Sequence, residues 1–215
     1  MDLLSAPILL LTGLSLAAWI YLAWGRSGFW RTGQRLGTGG PALERWPAVA
    51  VLVPARNEGD LLGRTLPSLL RQEYPGSFHV GLIDDRSADH TGAVARKLAA
   101  GLDLAARLTV VAGREPPSGW TGKLWALEQG LRAVPATPYV LFTDADIVHP
   151  PDSLRQLVGM AEARRLDLAS LMVTLRAAGR GERLGLAAFV YFFAKLYPFR
   201  RVSDPGRRTA AAAGG

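Results

Sequence analysis

Apolar and polar residues form alternating blocks along residues 48–180, and these blocks predict strands and helices in turn. Short apolar runs bounded by polar residues predict strands at 49–53, 79–83, 108–111, 139–142 and 168–173, of which those at 49–53 and 139–142 are expected to be buried. Apolar residues at helical spacing predict helices that follow Glu58 and that cover 91–100, 123–134 and 152–165. Because strands alternate with helices, we predict a doubly wound α/β fold with a mainly parallel sheet.

The first long apolar run covers residues 7–24, and no charged residue lies between Asp2 and Arg26. Its length is close to the roughly 20 residues with which a helix crosses a bilayer. Aromatic residues, which favour membrane interfaces, cluster at its end at Trp19, Tyr21 and Trp24. The acidic start and aromatic end favour an uncleaved anchor over a signal peptide or a soluble core helix.

Basic residues follow this run directly at Arg26, Arg31 and Arg35, and none precedes it. The positive-inside rule therefore predicts a single-pass anchor in a bacterial-type inner (plasma) membrane, with the globular domain in the cytoplasm. We predict four segments: the anchor at 1–26, a glycine-rich linker at 27–47, the globular domain at 48–180 and an apolar helical segment at 181–215.

A second apolar and aromatic run occupies residues 184–199, with Lys195 inside it, Pro198 near its end and two arginines after it. The run is short for a membrane span. It predicts a helix that lies in the membrane interface or covers the site from the side, and a buried core helix is the alternative.

The composition adds a basic balance and an absence of cysteine. The formal net charge is +7, which suits phosphates, nucleic acid or an anionic membrane surface. Nucleic acid is not expected, because the basic residues are scattered and no nucleic-acid-binding motif is present. The absence of cysteine excludes disulfides, thiolate catalysis and cysteine-ligated zinc, and the three histidines form no ligand-spaced cluster.

Polar clusters stand at the ends of three predicted strands, at Asn57 and Glu58, Asp84 and Asp85, and Asp144 and Asp146. The carboxyl ends of parallel strands share one edge of a sheet, where α/β proteins bind ligands. Asp144 and Asp146 can both turn toward one hard cation, and Mg²⁺ or Mn²⁺ prefers oxygen ligands completed by phosphate. This predicts a divalent metal site for a diphosphate-bearing substrate; in the alternative, one aspartate caps a helix and the other is solvated.

Four motifs occur in order along the chain: Val-Pro-Ala-Arg-Asn-Glu at 53–58, Asp-Asp-Arg-Ser-Ala-Asp at 84–89, Gly-Lys at 122–123 and Thr-Asp-Ala-Asp at 143–146. With them the chain resembles the family 2 glycosyltransferases, whose GT-A fold has a Rossmann-like nucleotide-binding half. The resemblance runs from about residue 48 to the C-terminus. Within the family, the anchor, Trp-Thr-Gly-Lys-Leu-Trp at 120–125 and the terminal Ala-Ala-Ala-Ala-Gly-Gly look most like hopene-associated glycosyltransferases of bacterial hopanoid synthesis.

The resemblance implies a nucleotide-diphosphate sugar as donor, expected to be a UDP-sugar, and a lipid or membrane-associated acceptor. The family's nucleotide contacts match Pro54, Ala55, Glu58, Asp84, Asp85 and Asp144 here, and its metal ligands match Asp144 and Asp146. Asp85 matches the carboxylate that binds the base, and we expect one of Asp84 and Asp85 to be only a turn-and-cap residue. Lys123 and Arg56 either add positive charge near the phosphates or lie exposed.

Family members place a catalytic carboxylate in the acceptor half, after the region where this chain stops. That group deprotonates the acceptor hydroxyl for in-line attack with inversion. Asp167, Glu182 and Asp204 are available carboxylates, but none lies in a matching motif. The catalytic base is therefore unidentified, and we expect the chain to be incomplete, with most of the acceptor half missing.

Our prediction is a metal-dependent, inverting glycosyltransferase held at the membrane. One alternative is a membrane-tethered fragment that binds a nucleotide sugar without turnover. A phosphatase that uses Asp-x-Asp after a strand ranks lower, because such enzymes carry this motif on their first strand. A dinucleotide oxidoreductase is not expected, since no Gly-x-Gly-x-x-Gly follows the first strand.

Overall fold

The computed structural model describes residues 5–26, 28–31, 35–36, 43–204, 206–209 and 211–212. It divides into a terminal unit, residues 1–35 with 174–211, and a sheet unit, residues 36–173 with 212–215. Several residues of the predicted linker and of the terminal alanine–glycine run lie outside the described residues: Gly33, Gly37, Gly39, Gly40, Pro41, Ala210 and 213–215. The segment boundaries predicted at residues 48 and 180 stay predictions.

The sheet unit contains a parallel four-stranded sheet in the order β3-β2-β1-β4. Its strands are β1 (Val49–Ala55), β2 (Phe78–Asp84), β3 (Leu108–Ala112) and β4 (Tyr139–Phe142). The α-helices of the described chain are α1 (Ser5–Ile20), α2 (Gly59–Leu70), α3 (Thr91–Gly101), α4 (Gly122–Ala133), α5 (Ser153–Arg164), α6 (Arg180–Leu196) and α7 (Phe199–Val202). The predicted alternation of parallel strands and helices is confirmed.

The central strand β1 continues two residues beyond its predicted end and passes through Pro54. Proline lacks a backbone N–H, so a strand tolerates it only where that group is not needed. In β1, Leu52 faces β4 through its carbonyl, and the pairing with β4 ends at Leu52. Pro54 points its nitrogen to the same side, beyond this last pair, and therefore costs the sheet no hydrogen bond.

One predicted strand does not form, and the predicted burial of another is wrong. Residues 168–173 form no strand, because an apolar, β-favouring run becomes a strand only where a partner edge is available. Strand β4 was predicted to be buried, yet Val140 and Phe142 are exposed. Among the described residues β4 pairs only with β1, so it is an edge strand with one open side.

Helices cover both faces of the sheet. One buried cluster joins α2, α3 and α5 to the inner side chains of β1 and β2, while a smaller one joins α4 to Leu52 and Ile83. Helix α4 lies very close to the sheet at Gly130, where an added Cβ would come within 2.6 Å of Ile83 Cδ1. This close approach fixes the position of α4, whose first residues lie beside the carboxyl ends of the strands.

The terminal unit contains α1 and a π-helical continuation, Tyr21–Gly25, followed much later in the chain by α6 and α7. Residues Ala6–Gly25 form one exposed helix of 20 residues with a mean hydropathy of 1.8, long and apolar enough to cross a membrane. A signal sequence or a core helix can share this length and composition.

Helix α6 begins four residues before the apolar run predicted from residue 184. Glu182 starts it, because its carboxylate accepts hydrogen bonds from the backbone N–H groups of Ala178 and Gly179. These bonds lower the pKa of Glu182. This exposed carboxylate therefore caps the start of the helix.

Candidate functional site

The carboxyl ends of β1, β2 and β4 lie at one edge of the sheet and bring the predicted polar clusters together. Backbone bonds continue the parallel pairing past the strands, from Asp85 N to Ala55 O at 2.8 Å and from Thr143 N to Leu52 O at 3.1 Å. Each motif therefore enters its loop from a fixed backbone position. The first turn of α4, which carries Lys123, reaches the same edge through the Lys123–Asp144 ion pair.

Hydrogen bonds that involve side chains connect the loops after β1 and β2. Asn57, which has a positive φ of 56°, accepts a hydrogen bond from Ala88 N at 2.8 Å and donates its own N–H to Ser87. Glu58 N donates to Thr91 Oγ1 at 3.0 Å. These hydrogen bonds fix the backbone conformation of residues 54–58 at the edge of the sheet.

Asp84 and Asp85 have different surroundings. Both carboxylate oxygens of Asp84 accept backbone N–H groups, one from Ser87 in the turn and one from Gly92 in the first turn of α3, each at 3.1 Å. Asp84 thus closes the turn and caps the first turn of α3. The nucleotide contact predicted for Asp84 stays a prediction.

Asp85 is the member whose carboxylate has no backbone partner among the described contacts. It is only 7% exposed, and Arg86 Nε lies 3.3 Å from its Oδ1. Arg56 is exposed, which is one of the two alternatives given for it above, and its Nη1 lies 4.0 Å from Asp85 Oδ2. A buried carboxylate beside two basic side chains can accept a hydrogen bond from a ligand N–H.

Arg86 was missed by the sequence analysis, although it stands in the quoted Asp-Asp-Arg motif. Its guanidinium bridges Asp85 and Glu115, with Nη1 at 2.6 Å from Glu115 Oε1. The bridge links the loop after β2 to the loop that precedes α4. Only the structure shows this role, because Glu115 lies in a proline- and glycine-rich segment with no readable pattern.

Asp144 and Lys123 form an ion pair at 2.5 Å, with Lys123 largely exposed and Asp144 partly exposed. Asp146 is exposed on the turn that follows. Nearby, burial raises the pKa of Glu58, and the negative charges of Asp146, Asp89 and Asp144 raise it further. The carboxylates therefore create a negative field that an added cation would relieve.

The donor set fits a hard divalent cation. In the part of the chain that the structure describes, no three His, Asp or Glu side chains are grouped closely enough to hold a metal ion by themselves. Mg²⁺ and Mn²⁺ sites that act on phosphates commonly use one or two carboxylates and take their remaining ligands from phosphate and water. Asp144 and Asp146 match that pattern, so the metal assignment stays a prediction consistent with the geometry.

Polar contacts of Thr143 and His149, which the sequence analysis missed, order the loop that contains Asp144 and Asp146. Thr143 Oγ1 lies 3.1 Å from His149 Nε2, and His149 N donates to Ser68 Oγ on α2 at 3.0 Å. The loop is thereby folded back onto α2. His149 has a structural role here that an isolated histidine in a sequence does not reveal.

Acidification should weaken the contacts that His149 makes with Thr143 and Ser68. Burial lowers the pKa of His149 below its ordinary 6.5, so its neutral ring stabilises the fold above that pH and the stabilisation is lost as the pH falls toward the folded pKa. We expect His149→Gln, which keeps a hydrogen-bonding group, to lose less melting temperature than wild type between about pH 7.5 and 5.5. His90→Asn removes an exposed histidine and serves as control. Equal losses in wild type and His149→Gln would contradict the assignment.

A cavity of about 420 Å³ opens beside the Lys123–Asp144 pair. Its polar end is formed by Lys123, Thr143 and Asp144, next to Pro54. Its apolar wall comes from α4, β4 and the preceding loop: Trp120, Leu124, Leu127, Leu131 and Phe142. The site therefore combines charged groups with an adjoining apolar hollow.

The chain matches the sequence family described as "Glycosyl transferase family 2" over residues 50–206. A beta-monoglucosyldiacylglycerol synthase of Synechocystis sp. is 30% identical over 161 residues, which cover 71% of this chain and 32% of that protein. A 4,4'-diaponeurosporenoate glycosyltransferase of Staphylococcus aureus is 35% identical over 101 residues, covering 46% and 24% respectively. The chain thus spans about a third or less of the length of these relatives.

Among solved structures, a mannosyltransferase from Pyrobaculum calidifontis, in complex with GDP-Man and Mn²⁺, has a similar fold. The TM-score is 0.55 and the sequence identity 29%, over 74% of this chain and 44% of that one. The predicted GT-A-type α/β fold is confirmed by this likeness together with the parallel sheet.

Proposed function

Because the chain belongs to glycosyl transferase family 2, we propose that it carries the donor half of an enzyme that moves a sugar from a nucleotide-diphosphate sugar to a lipid-type acceptor. The observation that carries this proposal is the meeting of Asp85, Lys123 and Asp144 beside one sheet edge. A base-binding carboxylate, a phosphate-binding cation and a metal-binding carboxylate are the three functions that such a donor needs.

The donor's parts correspond to these groups in turn. Asp85, which lies beside Arg86 and Arg56, accepts a hydrogen bond from a ring N–H of the base, and a base without that donor leaves a buried carboxylate oxygen without this hydrogen bond. Uracil and guanine both offer such a group. We propose a UDP-sugar, as the family resemblance implies, although the mannosyltransferase similar in fold is bound to GDP-Man.

The diphosphate lies between Lys123 and the two aspartates in this proposal. Asp144 and Asp146 would hold Mg²⁺ or Mn²⁺, whose chemistry there is that of a Lewis acid on the diphosphate. Lys123 releases Asp144 and turns its ammonium to the phosphates, near the N-terminus of α4, which itself favours negative charge. Both changes concentrate positive charge where the leaving group becomes more negative.

A lipid acceptor is favoured by two independent features. The synthase and the glycosyltransferase reported above are named for products or substrates that are lipids, a diacylglycerol and a carotenoid acid. The apolar helix Ala6–Gly25 fits a single-pass anchor in a bacterial inner membrane, with the sheet unit in the cytoplasm. Within this class, a hopanoid acceptor is the narrower proposal, based on the family resemblance of residues 120–125.

Transfer can be tested with radiolabelled UDP-glucose, UDP-GlcNAc and GDP-mannose, each offered to the membrane-embedded chain with bacterial lipid extract and Mn²⁺. Label that moves into the organic phase only with a given donor identifies that donor and supports the proposed transfer. Binding of a donor without transfer would support the alternative of a nucleotide-sugar-binding fragment. The absence of both would overturn the proposal.

A further inference from the structure

The charge of the chain is concentrated in its terminal unit. Residues 1–35 and 174–211 contain 11 Lys and Arg residues against three Asp and Glu residues, a formal charge of +8, whereas the whole chain carries +7. The sheet unit is therefore close to neutral. The basic balance that suggested an anionic partner belongs to the part of the chain that also contains the apolar helix.

Helix α6 has an apolar stripe that no described residue covers. Four of its side chains are each more than half exposed: Leu184, Phe189, Phe192 and Leu196. At 3.6 residues per turn these positions fall within an arc of about 140°, on one side of the helix. The opposite side is partly buried at Leu186, Val190 and Ala194, so the stripe points away from the contacts that hold α6.

A hydrogen bond ties the end of the candidate span to the end of α6. Arg26 follows Gly25, the last residue of the span, and its Nε donates to Lys195 O at 2.9 Å. This carbonyl lies in the last turn of α6, where no intrahelical N–H is available. Phe29 packs edge-on against Tyr191 at 5.2 Å in the same region. The last turn of α6 therefore lies level with the point where the span ends.

We propose that α6 is a second membrane-binding element, lying in the interface of an anionic leaflet with the stripe Leu184, Phe189, Phe192 and Leu196 among the lipids. A helix at the depth where a span ends meets the boundary between headgroups and acyl chains, which accepts an apolar face. Basic residues that follow α6, among them Arg200 and Arg208, are attracted to anionic headgroups. The inference rests on the proposed anchor but not on sugar transfer.

The absence of cysteine allows a direct test with single nitroxide labels on the full chain in vesicles. Phe192→Cys reports on the stripe, Ala187→Cys on an exposed position at another side of the same helix, and Leu14→Cys on the span. The vesicles contain phosphatidylcholine with about one third phosphatidylglycerol. We expect labels at residues 14 and 192 to collide more with oxygen than with a water-soluble nickel chelate, and the label at residue 187 to show the reverse.

The role of charge is tested by repeating the measurement in pure phosphatidylcholine and with Arg200→Gln/Arg208→Gln. We expect the oxygen-to-nickel collision ratio at residue 192 to fall by about threefold or more in both cases, while the ratio at residue 14 stays constant. An unchanged ratio at residue 192 would overturn the requirement for anionic lipid.

Three further outcomes would overturn the proposal for different reasons. If the label at residue 14 lies in lipid and the label at residue 192 in water, the anchor stands and the interfacial helix is wrong. If the label at residue 192 is shielded from both reagents, a second copy or another protein covers the stripe. If the label at residue 14 lies in water, the proposed anchor fails, and the inference fails with it.

Discussion

Replacing Asp144 and Asp146 together by asparagine should abolish the Mn²⁺-dependent part of nucleotide binding, weakening it by at least about 100-fold. Asparagine keeps the size of the side chains but removes both negative charges, so a hard cation loses its protein ligands. Calorimetric titration of UDP and of GDP into the detergent-solubilised chain, with and without Mn²⁺, measures the change. The expected loss confined to the titrations with Mn²⁺ would establish the donor site.

The control for this experiment removes the same charge elsewhere on the sheet unit. Asp103→Asn/Asp167→Asn changes two carboxylates that are not at the carboxyl edge of the sheet, and asparagine tolerates the positive φ of 58° at Asp103. Binding should be unchanged in this variant. If wild type binds neither nucleotide, or if the double aspartate variant at 144 and 146 binds as well as wild type, the metal and donor assignment is wrong.

Replacing Leu52 by alanine should lower the free energy of unfolding by about 3–4 kcal/mol, because it leaves a cavity at the centre of the sheet. Leu52 is 0% exposed. Its Cδ2 lies 3.1 Å from the Cβ position at Gly81 and 3.2 Å from that at Gly130. Because the two glycines have no side chains that could relax into the space, we expect the cavity to stay largely empty.

Thermal unfolding followed by circular dichroism in detergent measures this effect, which corresponds to a loss of roughly 10 °C in melting temperature. Leu61→Ala is the matched control, since Leu61 on α2 is 38% exposed. That substitution should change the free energy of unfolding by less than about 0.5 kcal/mol. A similar loss in both variants would contradict the central position of Leu52 in the core.

The sheet could be predicted from the sequence wherever a strand is a short apolar run between polar residues. Strands β1 to β4 follow this rule, and β1 follows it most clearly because a parallel strand covered on both faces needs apolar side chains throughout. The prediction failed at residues 168–173, because pairing depends on a partner that local composition does not specify. It also failed for the burial of β4, since an edge strand and a central strand can have the same short sequence.

Only those residues of the site that belong to recognisable sequence motifs could be predicted. The convergence of the loops after β1, β2 and β4 follows from parallel topology, which the sequence indicates. The different hydrogen-bond partners of Asp84 and Asp85 do not, because they depend on the turn at Arg86, where φ is 58°. Thr143 and His149 were missed for a related reason: their partner Ser68 lies on a distant helix, and no spacing in the sequence connects them.

The bond between Arg26 and Lys195 joins positions 169 residues apart in the chain. At about 5–20 residues per second, a ribosome needs roughly 10 to 30 s to synthesise that interval. The first helix is therefore synthesised long before α6, and residues 36–173 of the sheet unit are synthesised in between. We expect the sheet unit to fold during translation, and the terminal unit to close only after α6 has left the ribosome.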